Sequence, residues 1–185
     1  MDTNNKFKQL LGTHTQLKQL CKQWCKSNPG AFDKHRSEYG NASQPYEINH
    51  YSVPLGLLFE NSEFLSELHN THPFNRANIF YMEPYTTIFP HSDPDRNVSI
   101  NMLITGQDSK FLFFDDTKFV ELEYQPDTMY LCNSSNLHTI LNFSKPRLLL
   151  TMKFHQTDGE KFDPETIKPT YSDIYNHLEN NNLLA

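Results

Sequence analysis

The sequence predicts a mainly β chain, an antiparallel sandwich or jelly roll with helices ahead of it and one helix behind. Three observations carry that reading. Between residues 78 and 154 apolar residues recur in eight short runs of β type. Turn-forming residues separate the runs. No helical pattern falls between them, which argues against parallel β-α-β units.

Taken in order, Leu17, Leu20, Cys21 and Trp24 recur at i, i+3, i+4 and i+7 and mark an amphipathic helix over about residues 15–26. Asn28-Pro29-Gly30 ends it. Residues 30–52 are polar and poorly periodic, and read as loop with room for one short strand. A second short helix is expected around 62–70, with Phe64, Leu65 and Leu68 along one face. The β runs are 78–82, 86–89, 98–104, 111–114, 119–124, 128–132, 137–143 and 148–154. Glu83-Pro84, Asp93-Pro94-Asp95, Thr105-Gly106, Asp115-Asp116, Gln125-Pro126-Asp127 and Ser144-Lys145-Pro146 supply the turns. After a polar tail, Tyr171, Ile174, Tyr175 and Leu178 predict a last helix that frays into Asn180-Asn181-Asn182. The expected organisation is one domain over 1–185. A helical and loop region (1–75) packs on a jelly-roll core (76–154), and a tail with a helix (155–185) follows.

At 185 residues the chain can bury most of its apolar surface around one core, and 14 phenylalanines supply material for it. The net charge of −6, without a Lys/Arg cluster, speaks against a protein that grips a nucleic-acid backbone. No apolar stretch reads as a signal peptide or reaches the length of a membrane span. Three cysteines and no secretion signal predict reduced thiols and a cytoplasmic setting. Cys21 and Cys25, four apart, are expected to pack in a core rather than bind metal.

Chemistry concentrates at Pro90-His91-Ser92-Asp93-Pro94. In extended backbone, His91 and Asp93 leave the same face and can reach one ion. A similar pair, His177-Leu178-Glu179, lies in the predicted last helix, where i and i+2 point apart. His138 stands 47 residues after His91, at the opening of a later strand. Singly, these are a turn histidine, a turn aspartate before proline and a core histidine. Together, two imidazoles and a carboxylate on one octahedral face leave three open positions, the arrangement of non-haem Fe(II) oxygenases. Nine residues on, Arg147 opens a strand and shares a face with Leu149, Thr151 and Lys153. On a surface it would only pair with a carboxylate, for little energy. Pointing inward, its planar fork needs an anion, and a carboxylate suits it.

This His-x-Asp, His and Arg series resembles the Fe(II)/2-oxoglutarate-dependent oxygenase superfamily. The resemblance covers residues 76–154, the double-stranded β-helix (jelly-roll) core. Phe89-Pro90-His91, Arg96 and the stretch from His138 through Asn142 to Arg147 are similar to the aspartyl/asparaginyl and proline hydroxylase branch. That branch varies its metal-binding carboxylate, and here Asp93 is present.

The resemblance implies Fe(II) on His91, Asp93 and His138, with 2-oxoglutarate chelating it and reaching Arg147 through its far carboxylate. Succinate and CO2 would be released as O2 is consumed, and the usual outcome is hydroxylation. No side chain beyond the metal ligands need be catalytic. Tyr81, Asn101, Tyr130 and Thr151 are candidate helpers for 2-oxoglutarate, each with an equally ordinary reading as strand packing or surface. Arg76, Asn78 and Arg96 are candidates for binding the substrate, expected to be an amino acid, a small metabolite or a peptide side chain. Two alternatives compete: a non-catalytic jelly-roll, cupin-like module that holds a small anion at Arg147, and a cupin-like metalloenzyme. The chain lacks the His-x-His pair that the last would favour.

Overall fold

The computed structural model describes residues 6–36, 47–74, 76–93, 98–115, 117–154 and 169–185, with backbone alone for 31–36 and 47–48. The chain runs β1 (Phe7–Gln9), α1 (Thr15–Ser27), a 3-10 turn (Pro29–Ala31), β2 (Phe32–Arg36), β3 (Glu47–Val53), α2 (Leu55–Phe59) and α3 (Glu63–Thr71). It continues through β4 (Arg76–Met82), β5 (Thr87–His91), β6 (Ser99–Thr105), β7 (Lys110–Asp115) and β8 (Lys118–Leu122). The last elements are β9 (Met129–Cys132), β10 (His138–Leu141), β11 (Arg147–Lys153) and α4 (Tyr171–Asn180).

Two antiparallel sheets result. The larger has the order β1-β9-β6-β11-β4-β3-β2, and the smaller β5-β10-β7-β8. All eight β runs of residues 78–154 form strands, with ends shifted by one or two residues. Where residues 30–52 read as loop with room for one short strand, two strands form, and residues 37–46 lie outside the described residues. β2 and β3 extend the large sheet beyond β4, in the register Phe80 to His50 and Ile79 to Tyr51. β3 owes its order to backbone bonds with strands on both sides rather than to an alternating pattern.

Strand alternation sorts the apolar residues into two cores. On the outer face of the large sheet, Ala77, Ile79, Ile100, Met102, Ile104, Leu150, Met152 and Phe154 pack with Leu17, Cys21, Leu65, Leu68, Ile174 and Leu178 of the helices. Between the sheets lie Met82, Phe111, Phe113, Leu122, Tyr130, Cys132 and Ile140. Burying a large apolar side chain contributes about 1.5–3 kcal/mol, so these two layers dominate the folding energy. Cys21 and Cys25 sit in the outer core, where burial pushes their thiols up to about 12 and about 11. Among the described residues no helix is long and apolar enough to cross a membrane.

α1 lacks a side-chain N-cap of its own. Asp127, in the β8–β9 turn at φ 59°, instead tethers the start of α1 from across the fold. Its carboxylate accepts from Thr15 Oγ1 at 2.8 Å and from Lys18 Nζ at 2.7 Å, and its carbonyl accepts from the His14 amide. The Lys18 and Thr15 bonds lower the Asp127 pKa below its usual value of 3.8. A depressed folded pKa stabilises the fold above the unfolded value, and that contribution fades as pH falls through the folded one. Asp127→Asn is therefore expected to lower stability at pH 7 by about 1 kcal/mol, and by less as the pH drops below 3.8. Urea unfolding at several pH values measures this; an equal loss at all pH values would contradict it.

Candidate metal centre

β5 ends at His91 and β10 begins at His138, and the two residues pair in register across the small sheet. Their rings lie 4.4 Å apart between centroids. Asp93 follows β5 on a segment tied to the β9–β10 connection by its amide, which donates to the Ser134 carbonyl at 3.0 Å. Its Oδ1 is 3.8 Å from His91 Nε2, and its Oδ2 is 3.9 Å from His138 Nε2. One donor atom from each of the three residues lies within 4.8 Å of the others, close enough to share an ion.

Backbone carbonyls decide which ring nitrogen is available. His91 Nδ1 lies 2.8 Å from the Phe89 carbonyl, and His138 Nδ1 lies 2.8 Å from that of Asn136. A carbonyl oxygen only accepts, so each Nδ1 carries the hydrogen and each Nε2 presents a lone pair. Metal-ligating histidines are oriented by this kind of second contact. His138 is buried against Phe111 and Phe113, with ring centroids at 5.3 and 5.8 Å, whereas the His91 side chain keeps 28% of its surface open. The centre thus has one dry wall and one open side.

Arg147 begins β11 inside the barrel and is 1% exposed. Its Nε donates to Ser109 Oγ at 3.1 Å, and that hydroxyl donates on to the Gly106 carbonyl at 2.6 Å. Among the described residues Nη1 meets the Met82 sulfur at 3.9 Å, and Nη2 has no hydrogen-bond partner. The guanidinium carbon stands 5.9 Å from the centre of the Tyr124 ring. Burial pulls the Arg147 pKa down, with opposition from Tyr124 and Cys132, yet an arginine stays charged at neutral pH. Gly106, at φ +87°, makes room for it: a Cβ there would lie 2.8 Å from the Arg147 Cα.

The inner face of the large sheet carries a polar row, Tyr130-Asn101-Thr151-Asn78, in register across four strands. Asn101 Oδ1 and Thr151 Oγ1 are buried without partners among the described residues, as is the hydroxyl of Tyr124. Burial raises the Tyr124 pKa well above its usual value; Asn101 and Arg147 lie near enough to act on it, though without a hydrogen bond of ordinary geometry. An unpartnered buried polar group costs about 1–3 kcal/mol, so several in one chamber mark space fitted to a polar guest.

Not every expected residue joins this set. Asn101 and Thr151 do. Tyr81 does not: Arg147 is registered with Met82, so the even-numbered residues of β4 face inward and Tyr81 faces out. Its hydroxyl donates to Glu83 Oε2 at 3.0 Å on the surface. Tyr130 faces inward, but its hydroxyl accepts from the Gln125 amide and donates to the Glu123 carbonyl, so it is committed to the turn. Asn78 is buried and Arg76 exposed, both on the inner side of β4. Arg96 lies outside the described residues. Tyr124 and Ser109 belong to the chamber without having been singled out in the sequence. No motif marks them, and both lie just outside strands, Ser109 before β7 and Tyr124 after β8, where alternation gives no signal.

No family model matches the chain, and no curated protein matches it in sequence. Solved structures share its fold. A prolyl-4-hydroxylase from Pseudomonas putida superposes with a TM-score of 0.62 at 13% identity, covering 82% of this chain and 93% of that one. A prolyl hydroxylase from Trichoplax adhaerens, in complex with a hypoxia-inducible-factor peptide fragment, gives 0.60 at 13% identity over 82% and 84%. A non-haem α-ketoglutarate-dependent epimerase of nogalamycin biosynthesis gives 0.54 at 10% identity over 91% of both chains. At such identities the likeness is one of fold. That fold is the one adopted by 2-oxoglutarate–Fe(II) oxygenases, the prolyl hydroxylases among them.

Proposed function

We propose that the protein is an Fe(II)- and 2-oxoglutarate-dependent oxygenase that hydroxylates an amino acid, a small metabolite or a peptide side chain. One observation carries this. A single barrel interior has a His/Asp/His donor set at its mouth and, beneath it, a buried guanidinium with an unpartnered nitrogen. A site for a metal alone would have no use for the second. A site for an anion alone would have no use for the first.

In this reading His91, Asp93 and His138 hold iron through two Nε2 atoms and one carboxylate. Arg147 receives the far carboxylate of 2-oxoglutarate by charge-assisted hydrogen bonds, with Ser109 fixing the guanidinium and with Tyr124 and Thr151 in reach as further donors. The bound iron and cosubstrate supply the oxidising power toward a C–H bond, with succinate and CO2 released. The chain's own work is positioning and exclusion of water. Phe111 and Phe113 close the His138 side, and the open flank beside His91 admits the substrate. The neighbour with a bound peptide supports a peptide side chain as one candidate, and the epimerase is a reminder that this fold serves other outcomes.

Anaerobic addition of Fe(II) and then 2-oxoglutarate is expected to produce a weak visible charge-transfer band. Admission of O2 should then yield succinate. A folded protein showing neither would be a binding module, and the oxygenase reading would fail.

A further inference from the structure

Residues 133–136, between β9 and β10, form a turn that meets two of the three candidate ligands. The Ser134 carbonyl accepts from the Asp93 amide at 3.0 Å, and the Asn136 carbonyl lies 2.8 Å from His138 Nδ1. Asp93 stands two positions past the end of β5, where no strand ladder fixes it, so this bond matters more than it would inside a sheet. The two carbonyls belong to one turn. A change in its shape therefore moves the carboxylate and the imidazole relative to each other.

The turn is itself restrained. Within it, the Asn136 amide donates to the Asn133 carbonyl at 3.3 Å, and the Ser135 hydroxyl donates to Asn133 Oδ1. On the side of β1, the Asn133 amide donates to the Lys6 carbonyl at 2.8 Å, and Lys6 Nζ crosses to the Phe114 carbonyl of β7 at 3.1 Å. On the side of β6, the hydroxyls of Ser134 and Ser99 lie 3.4 Å apart, and Ser134 is only 3% exposed. Connecting residues ordinarily lie on the surface, and a buried hydroxyl costs stability unless a polar group meets it. Joining two strands demands none of this.

We propose that residues 133–136 are the positioning element of the metal centre, Ser134 setting Asp93 and Asn136 setting His138 from one restrained turn. The metal rests on the oxygenase reading above; the assignment of its affinity to residues that donate nothing to the ion goes beyond it. The distances make the effect sizeable. The Asp93 oxygens stand 3.8 and 3.9 Å from the two Nε2 atoms, and a working donor set must hold its geometry within about 0.5 Å. One residue added to the turn, spanning up to about 3.3 Å, exceeds that tolerance.

The test titrates the full chain with Co(II) alone, reading affinity and the visible d–d absorption that reports coordination geometry, with Tm measured on each variant. A single glycine inserted between Ser134 and Ser135 is expected to weaken Co(II) binding by at least about 10-fold and to alter the spectrum. The insertion falls beside the exposed Ser135, where added residues are tolerated. Ser134→Gly, which loosens the same backbone and removes the hydroxyl, should cost about 3–10-fold. Thr128→Val is the control: this buried hydroxyl, at the other end of β9, donates to the Pro126 carbonyl at 3.1 Å. It should lower the Tm and leave Co(II) affinity and spectrum as in the wild type. Unchanged affinity and spectrum in the turn variants overturn the proposal, and so does a loss in Thr128→Val equal to that in Ser134→Gly. If the insertion variant does not fold, Ser134→Gly against Thr128→Val decides. A wild type that takes up no Co(II) sinks the oxygenase reading and the positioning role together. A wild type that binds it, with indifferent turn variants, sinks the positioning role alone.

Discussion

His138→Ala is expected to abolish stable Fe(II) binding. The ring supplies one of three donors, its Nδ1–H is already fixed on the Asn136 carbonyl, and Phe111 and Phe113 hold it in place. Disturbing only the partner of a metal-bound histidine commonly costs 10–100-fold in affinity, so loss of the ligand itself should exceed about 100-fold. Metal analysis after desalting reads this directly. The change also empties a buried position and should lower stability by about 2–4 kcal/mol, measured by urea unfolding. A folded His138→Ala protein that retains iron at the wild-type stoichiometry would place the metal elsewhere.

Arg147→Met should separate cosubstrate from metal. Iron binding is expected to persist, because Arg147 contributes no donor, while the affinity for 2-oxoglutarate falls by at least about 100-fold with the loss of a buried charge-assisted pairing. Stability without ligand should move in the opposite direction. The guanidinium is 1% exposed with one nitrogen unpartnered, and replacing a poorly compensated buried charge by a side chain of similar volume is commonly neutral or stabilising. An arginine with a purely structural role would behave otherwise, losing stability while 2-oxoglutarate binding changed little. Titration of the visible band and thermal unfolding without cosubstrate give the two readings on one variant.

Much of the architecture could be read before the structure because the β runs from 78 onward alternate and are punctuated by Pro, Gly and Asp turns. What escaped was held by partners rather than by pattern. β1 is three residues long and exists by pairing Phe7 with Cys132. β3 lies between β2 and β4 and carries Asn49 on the face of Tyr51 and Val53, where an alternating strand would carry an apolar residue. α2, only five residues after Pro54, is too short to show a period.

At the site, His91, Asp93, His138 and Arg147 were legible because spacing and strand position restrict them. Of the candidate helpers, Asn101 and Thr151 face the chamber and Tyr81 does not, because strand parity matters more than polarity. Asn78 and Tyr81 are three apart on one strand and cannot share a face, and the register of Arg147 with Met82 selects Asn78. Tyr124 follows β8, outside any strand, so alternation could not place its hydroxyl beside the guanidinium.

Both candidate ligand histidines take their orientation from carbonyls two residues upstream in their own segments, Phe89 and Asn136. The donor set is therefore shaped by the backbone before any ion arrives. In the proposed oxygenase iron would have little ordering to do, and its affinity would report coordination rather than chain folding. A chelator is then expected to strip the metal and leave the protein native, ready to take it up again.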